Sequence, residues 1–457
     1  MTVIRALLLI LFALVGSAFA RLARCGLYRD EAGNFIHGAF LGLAVSLFGG
    51  ISEFTAHPYL MAGVGAFAMH LGDMADTRQS YLAVTESRPA PRYRHGMLGL
   101  FVQGAVAFGL FGGYVGIYIS FMSGMYTVMQ LVSMALLMPV FAYGVYRSFN
   151  LPFDPESNVF PKTYFSAGRR ETWGILLGLL AEVVMLSMFA SDGLALLLAV
   201  VCALFGGAGK TLGALIASRT LFTNRNGKYL FNRFTVDGYI NDKTLFDVVY
   251  GLICGLGFAL AFTLSGPILA RRSVLINSRG IVSVLDERAT QLIVILLIAL
   301  LLLDQAKYLL PALIGEKRVS KLFEISGKTE YVLYSIAPLL LSFAGITSVT
   351  EIYATVIFGF ILLRAFSDFL QTSKRGKQLL LVCLFAVIAL YVVRLFTRWN
   401  AGAVFLTSIY TLMLMGAGLL MHYIGDRSMR FSRREQAADF AQGACAVVLL
   451  GLSFLTL

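Results

Sequence analysis

The chain has 457 residues, of which 58% are hydrophobic and 14% are charged. Soluble domains carry about 25% charged residues, so this composition excludes an ordinary soluble protein and indicates a membrane protein. The formal net charge is +12. It does not indicate nucleic-acid binding, because no basic tail or domain exists outside the gaps between apolar segments.

Continuous apolar segments predict the architecture, since a membrane-spanning helix needs roughly 20 apolar residues. The segments lie near residues 3–20, 36–52, 57–71, 97–121, 124–146, 173–190, 193–217, 246–266, 290–314, 331–347, 350–368, 378–397, 401–421 and 437–457. We therefore expect an all-α, polytopic helical integral membrane protein with about 14 transmembrane helices (a range of 12–14) and no soluble domain. It would form one transmembrane domain over residues 1–457, with pseudo-halves at 1–217 and 246–457.

The basic residues fall in every second gap between these segments. Each odd-numbered gap holds three to five Lys or Arg residues, beginning with Arg21, Arg24 and Arg29 in the first gap. Among the even-numbered gaps, only the eighth and the twelfth hold cations: Arg271, Arg272, Arg279 and Arg288 in the eighth and Arg398 in the twelfth. Because cytoplasmic loops are enriched in Lys and Arg, the odd gaps are predicted to be cytoplasmic and both termini to lie outside. The predicted location is a cell membrane, with the bacterial inner membrane favoured.

Two sequence features inside this pattern have alternative interpretations. Residues 1–20 resemble a cleavable signal peptide, but the arginines that follow favour an uncleaved first helix. In the eighth gap, residues 273–285 mix polar and apolar side chains, which fits either a small hairpin or an interfacial segment.

Ionisable residues inside the apolar segments are the first candidates for function, because charge at membrane depth is costly. The predicted substrate pathway contains Glu182, Lys210, Asp304, Lys307, Arg364 and Arg394. Asp304 with Lys307, and Arg364 with Asp368, share helix faces and are alternatively self-neutralising pairs. With Asp368 included, cations exceed anions by one, which favours an anionic substrate group such as a phosphate.

Lys210 lies in a glycine-dense stretch, residues 206–213. Such small residues permit close helix contact or a helix break that exposes backbone groups to a ligand. In the tightly packed alternative, Lys210 pairs with Glu182. The Gly209-Lys210-Thr211 sequence is not a phosphate-binding loop, because that pattern requires a glycine where Leu204 stands.

A second candidate site lies near the N-terminus. Tyr28-Arg29-Asp30-Glu31 follows the first segment, and His57-Pro58-Tyr59-Leu60 comes about 26 residues later. This arrangement resembles the first loop of integral-membrane glycosyltransferases that use polyprenyl-phosphate sugars. The resemblance implies that an acidic residue, Asp30 or Glu31, acts as a catalytic base or binds a metal. In that family the loop faces outward, whereas the arginine pattern places it inside here.

The leading hypothesis is a transporter, an exporter or flippase of an anionic lipid-linked saccharide or similar envelope precursor. The alternative is a membrane-embedded glycosyl- or lipid-transferase, with Asp30, Glu31, His57, Asp237 and Asp242 as its site. The sequence favours the transporter over an enzyme, and a subunit of a larger complex is a third class. No cofactor or metal is predicted, because the five cysteines and five histidines show no ligand spacing. The expected partners are membrane lipids and the substrate.

Overall fold

The structure is a computed structural model that describes residues 3–23, 31–72, 78–86, 91–154, 156–161, 163–165, 171–221, 242–281 and 337–345, with single residues 289, 292 and 296. Its helices, in chain order, are α1 (Val3–Ala23), α2 (Glu31–Phe48), α3 (Ser52–Ala56), α4 (Pro58–Gly72), α5 (Arg78–Glu86), α6 (Pro91–Met122), α7 (Val128–Asn150), α8 (Trp173–Phe189), α9 (Gly193–Leu221), α10 (Asp242–Leu264), α11 (Gly266–Arg279) and α12 (Ala337–Phe343). The described part of the chain contains no β-strand, only an isolated bridge between Asp154 and Val159.

The first eight predicted segments each coincide with a helix. Within the described residues, five helices (α1, α6, α7, α9 and α10) are long and apolar enough to cross a membrane, and α2 and α8 are shorter apolar helices. In lipid, helices satisfy every backbone donor and acceptor within the segment. The described residues therefore form an all-α membrane protein. The ninth predicted segment and the eleventh to fourteenth lie largely or wholly outside them.

Helix α6 forms the centre of the bundle. It packs against α4, α5, α8 and most extensively α9, and almost all its side chains from residue 103 to residue 120 are buried. Around it, α2 pairs with α4, and α10 lies between α9 and α1. Helix α7 packs mainly on α8 and buries only Met134 and Asn150. The core of the described bundle is thus the α6–α9–α10 layer.

Glycine allows α6 and α9 to approach backbone to backbone. A Cβ atom at Gly206 would collide with the carbonyl oxygen of Gly104, and one at Gly104 would collide with that of Gly206. Further along, Gly116 meets the backbone of Ala195. Because α9 runs unbroken through residues 206–213, the glycine-dense stretch serves close helix contact and does not break the helix.

Two of the polar gaps, the third and the eighth, contain helices. In the eighth gap, α11 begins with a proline in its first turn and ends at Gly280, whose φ of 70° suits glycine. The described part of this gap is therefore helical up to Arg279 and forms no hairpin, whereas residues 282–285 of the predicted segment lie outside the described residues. In the third gap, α5 packs against α6 and α9.

Contacts between gaps group them by parity. Asp192 of the sixth gap contacts Arg272 of the eighth and Tyr126, which lies in the connection between α6 and α7. Arg272 also contacts Ser123 of the fourth gap, and α11 meets α3 in the second gap. At the opposite end, the His95 ring of the third gap lies 6.4 Å from the Phe165 ring of the fifth, and Val84 of α5 packs with Ala214 and Ala217 near the end of α9. The described parts of the second, fourth, sixth and eighth gaps thus lie on one face, and those of the third and fifth gaps on the other, as alternate crossing requires.

Candidate functional site

Only part of the predicted site falls within the described structure. Glu182, Lys210 and His57 are described with their side chains. Glu31 and Asp242 are the first residues of α2 and α10, and their backbone alone is described. The predicted residues that lie outside the described ones are Asp30, Asp237, Asp304, Lys307, Arg364 and Arg394.

Lys210 lies in a buried polar cluster that joins four helices. Its Nζ lies 5.5 Å from the centroid of the Tyr250 ring of α10, and only 1% of its surface is exposed. The Cζ atom of Arg21, on α1, lies 4.4 Å from the same centroid, with 2% of that residue exposed. Cations within about 6 Å of an aromatic ring are attracted by its quadrupole. One tyrosine ring thus stabilises two cations, and we call Arg21, Lys210 and Tyr250 the cation cluster.

Arg21 is positioned by polar contacts between α1 and α2. Its Nη1 donates a 2.7 Å hydrogen bond to Oδ1 of Asn34, and one turn earlier Ser17 pairs with His37. These two hydrogen-bonded pairs link the antiparallel helices α1 and α2. The buried Nε of Arg21 has no hydrogen-bond partner among the described residues. The guanidinium therefore retains a donor for a further acceptor.

Small residues bring the helices of the cluster together. A Cβ atom at Gly251 would approach the Ser17 carbonyl oxygen to 2.6 Å, and one at Gly209 would approach the Tyr250 ring to 3.0 Å. Glycine at these two positions allows α1 and α9 to pack on the Tyr250 face of α10. The cation cluster therefore depends on Gly209 and Gly251 as well as on its own three side chains.

The nearest described carboxylate on α10 is Asp247, three residues before Tyr250 and fully buried. It lies inside α10, in the second turn of the helix. Arg21, Lys210 and Asp247 are therefore three buried ionisable residues on the helices that meet at the Tyr250 ring.

Glu182 lies elsewhere in the bundle and does not pair with Lys210. Helices α8 and α9 are antiparallel and joined by the turn at 190–192, so a rise of about 1.5 Å per residue puts Lys210 about 15 Å further from that turn than Glu182. Both carboxylate oxygens of Glu182 are buried without a hydrogen-bond partner among the described residues. The alternative in which these two residues pair does not occur in the described structure.

The glycosyltransferase-like residues are not brought together. Glu31 begins α2, whereas His57 follows α3, beyond the other end of α2. The 18 residues of α2 separate these positions by about 26 Å along its axis. No group of three His, Cys, Asp or Glu side chains within the described residues is arranged to hold a metal ion.

A second polar cluster, which the sequence did not reveal, joins the even-numbered gaps. Asp192 is fully buried, accepts a 2.9 Å hydrogen bond from the Tyr126 hydroxyl, and lies 3.9 Å from Arg272. Its Oδ1 also accepts hydrogen bonds from the backbone N–H groups of Leu194 and Ala195. Burial and the Asp192 charge raise the pKa of Tyr126, so its hydroxyl remains a donor. This is the Asp192 cluster.

The Asp192 cluster accounts for a cation that departs from the parity rule. Arg272 lies in an even gap, and besides Asp192 it donates a 3.0 Å hydrogen bond to Ser123 Oγ. A cation paired with a buried carboxylate no longer acts as a free charge that biases orientation. The sequence signal was an isolated acidic residue in the short sixth gap.

Comparisons with known proteins give no match to a protein-family model, a curated protein or a solved structure. The class of the protein therefore rests on its own fold: it is an all-α membrane protein with two cations buried about one tyrosine ring between α1, α9 and α10.

Proposed function

We propose that the protein is a membrane transporter, an exporter or flippase of an anionic, lipid-linked saccharide or similar envelope precursor. The cation cluster carries this proposal. Two cations, Arg21 and Lys210, are buried about one aromatic ring inside the bundle. Burying a charged side chain at membrane depth costs free energy, so charged residues there mark candidate substrate pathways.

The chemistry of Arg21 favours a phosphate or carboxylate as the group that binds. A guanidinium presents several donors in a fixed plane that matches these oxyanions, and the Nε of Arg21 has no acceptor among the described residues. Charge-assisted hydrogen bonds of this type are about twice as strong as neutral ones. Lys210 adds a second positive charge without fixing the geometry.

A flipping assay in proteoliposomes tests the proposal. With a fluorescent polyprenyl-diphosphate saccharide as probe, we expect Arg21→Met and Lys210→Met each to slow flipping about tenfold or more, because a hydrogen bond to a charged group contributes about 1.5–3 kcal/mol. Lys210→Arg, which keeps the charge, should lose less. Arg271→Met is the control, because Arg271 is an exposed cation on α11. Wild-type rates in both methionine variants, with the protein folded by size-exclusion chromatography, would reject the site.

The orientation of the chain is a second part of the proposal, with the odd gaps in the cytoplasm. In a background whose native cysteines are replaced, Asn277→Cys on α11 and Ser157→Cys in the fifth gap introduce thiols at exposed positions. We expect a membrane-impermeant maleimide to label position 277 in intact cells and position 157 only after permeabilisation. The reverse pattern would invert the proposed orientation.

A further inference from the structure

Glu182 lies in a closed seam between α6, α7 and α8, and 3% of its surface is exposed. One turn before it, Gly178 packs directly on the backbone of Phe141 in α7. Val183, the residue after Glu182, faces Gly113 of α6. A Cβ added at Gly113 would approach the Val183 side chain to 2.5 Å. The carboxyl group is therefore enclosed by protein and faces neither lipid nor water.

No charge within the described residues compensates Glu182. Its two oxygens have no hydrogen-bond partner there, and no ion pair joins it to another described residue. Among the ionisable groups on the helices that pack against α8 are Tyr114 of α6, whose hydroxyl contacts Met138 Sδ at 3.6 Å, Tyr143, Tyr146 and Arg147 of α7, and Cys202 and Lys210 of α9. The three α7 groups lie one to three turns beyond Met138, toward the face of the bundle that carries the third and fifth gaps. Lys210 lies about 15 Å from Glu182 along the helix axis.

Glu171, a second buried glutamate close to α8, differs from Glu182 in that its carboxylate is hydrogen-bonded. It precedes α8 by two residues and is also buried, yet its Oε1 accepts the Phe165 N–H at 2.8 Å and its Oε2 accepts the Trp173 indole N–H at 2.9 Å. Eleven residues, about three helical turns, separate the two glutamates. One site is built with donors for a carboxylate, whereas the described surroundings of the other supply none.

An ionised carboxylate at position 182 would lose its hydrating water without gaining a hydrogen-bond donor or a counter-charge. Because this desolvation costs free energy, such a group is neutralised by binding a proton. We propose that Glu182 is a proton-binding site, and that it exchanges this proton with water when the α7–α8 seam opens during transport. The binding step adds one proton from water to the carboxylate, and the release step returns it. The coupling role rests on the proposed transport function, whereas the proton site itself does not.

Infrared titration of the reconstituted protein tests the proton site. We expect a protonated carboxyl C=O band at neutral pH that disappears in Glu182→Gln and persists in Glu171→Gln, the matched control. If the band is unchanged in Glu182→Gln, the proton site is rejected. Because the readout is spectroscopic, it does not depend on knowing the substrate.

Flipping driven by a pH gradient tests the coupling, with the fluorescent polyprenyl-diphosphate saccharide as probe. We expect Glu182→Gln to lose gradient-driven accumulation while it keeps equilibrium exchange of the probe. Equal accumulation in Glu182→Gln and wild type would overturn the coupling role. Failure of the transport proposal is a different result, in which the wild type itself does not exchange the probe while the infrared band still maps to Glu182.

Discussion

Replacing Gly206 by leucine is expected to prevent α6 and α9 from packing and to abolish the folded protein. A Cβ at this position meets the carbonyl oxygen of Gly104 and the Cβ of Phe108. Because the first obstacle is backbone, no change of rotamer relieves it, and the helices must separate along the most extensive contact in the described bundle. We expect a loss of at least about 3 kcal/mol, measured as a lower Tm and as aggregation in size-exclusion chromatography.

Gly144→Leu is the matched control for this prediction. Gly144 lies in the interior of α7, and a Cβ there would meet nothing within 4 Å. Leucine is a better helix former than glycine by roughly 0.5–1 kcal/mol, so this variant should be as stable as wild type or more so. If the two leucine variants unfold at the same temperature, close approach of α6 and α9 is not what stabilises the bundle.

The helices were predictable from the sequence, but their partners were not. Hydropathy alone located α1 to α10 apart from the short α3 and α5, because each span must satisfy its own backbone in lipid. The glycine-rich stretch of α9 was also visible. That its partner is Gly104 of α6 was not, since helix pairing depends on side-chain shape along both helices and is not encoded in the hydropathy of either.

Arg21 shows how the boundary of a segment hides a candidate functional residue. Apolar residues end near position 20, so Arg21 was assigned to the first cytoplasmic gap, whereas α1 continues to Ala23 and buries it. A signal was present in the spacing, because Ser17 and Arg21 are four residues apart and Asn34 and His37 three apart. Polar residues at such spacing share a helix face, and here the two faces meet.

Asp192→Ala should cost about 3 kcal/mol in unfolding free energy, because three interactions disappear together. The variant loses the cap of α9, which contributes about 0.5–2 kcal/mol. It also loses the acceptor of the Tyr126 hydroxyl, a bond that contributes about 0.5–1.5 kcal/mol. The ion pair with Arg272 adds less, because its closest N–O distance is 3.9 Å and Arg272 keeps its bond to Ser123.

Conservative variants separate these contributions. Asp192→Asn keeps a capping oxygen and loses only the charge, so it should retain most of the stability, and Tyr126→Phe should lose about 1 kcal/mol. Arg272→Met combined with Asp192→Asn forms a double-mutant cycle, in which a coupling energy below about 1 kcal/mol is expected. If Asp192→Asn is as unstable as Asp192→Ala, the charge itself, and not the helix cap, holds the even-numbered gaps together. In that case high salt should also lower the Tm of the wild type, since a pair that is part-exposed at Arg272 is screened by ions.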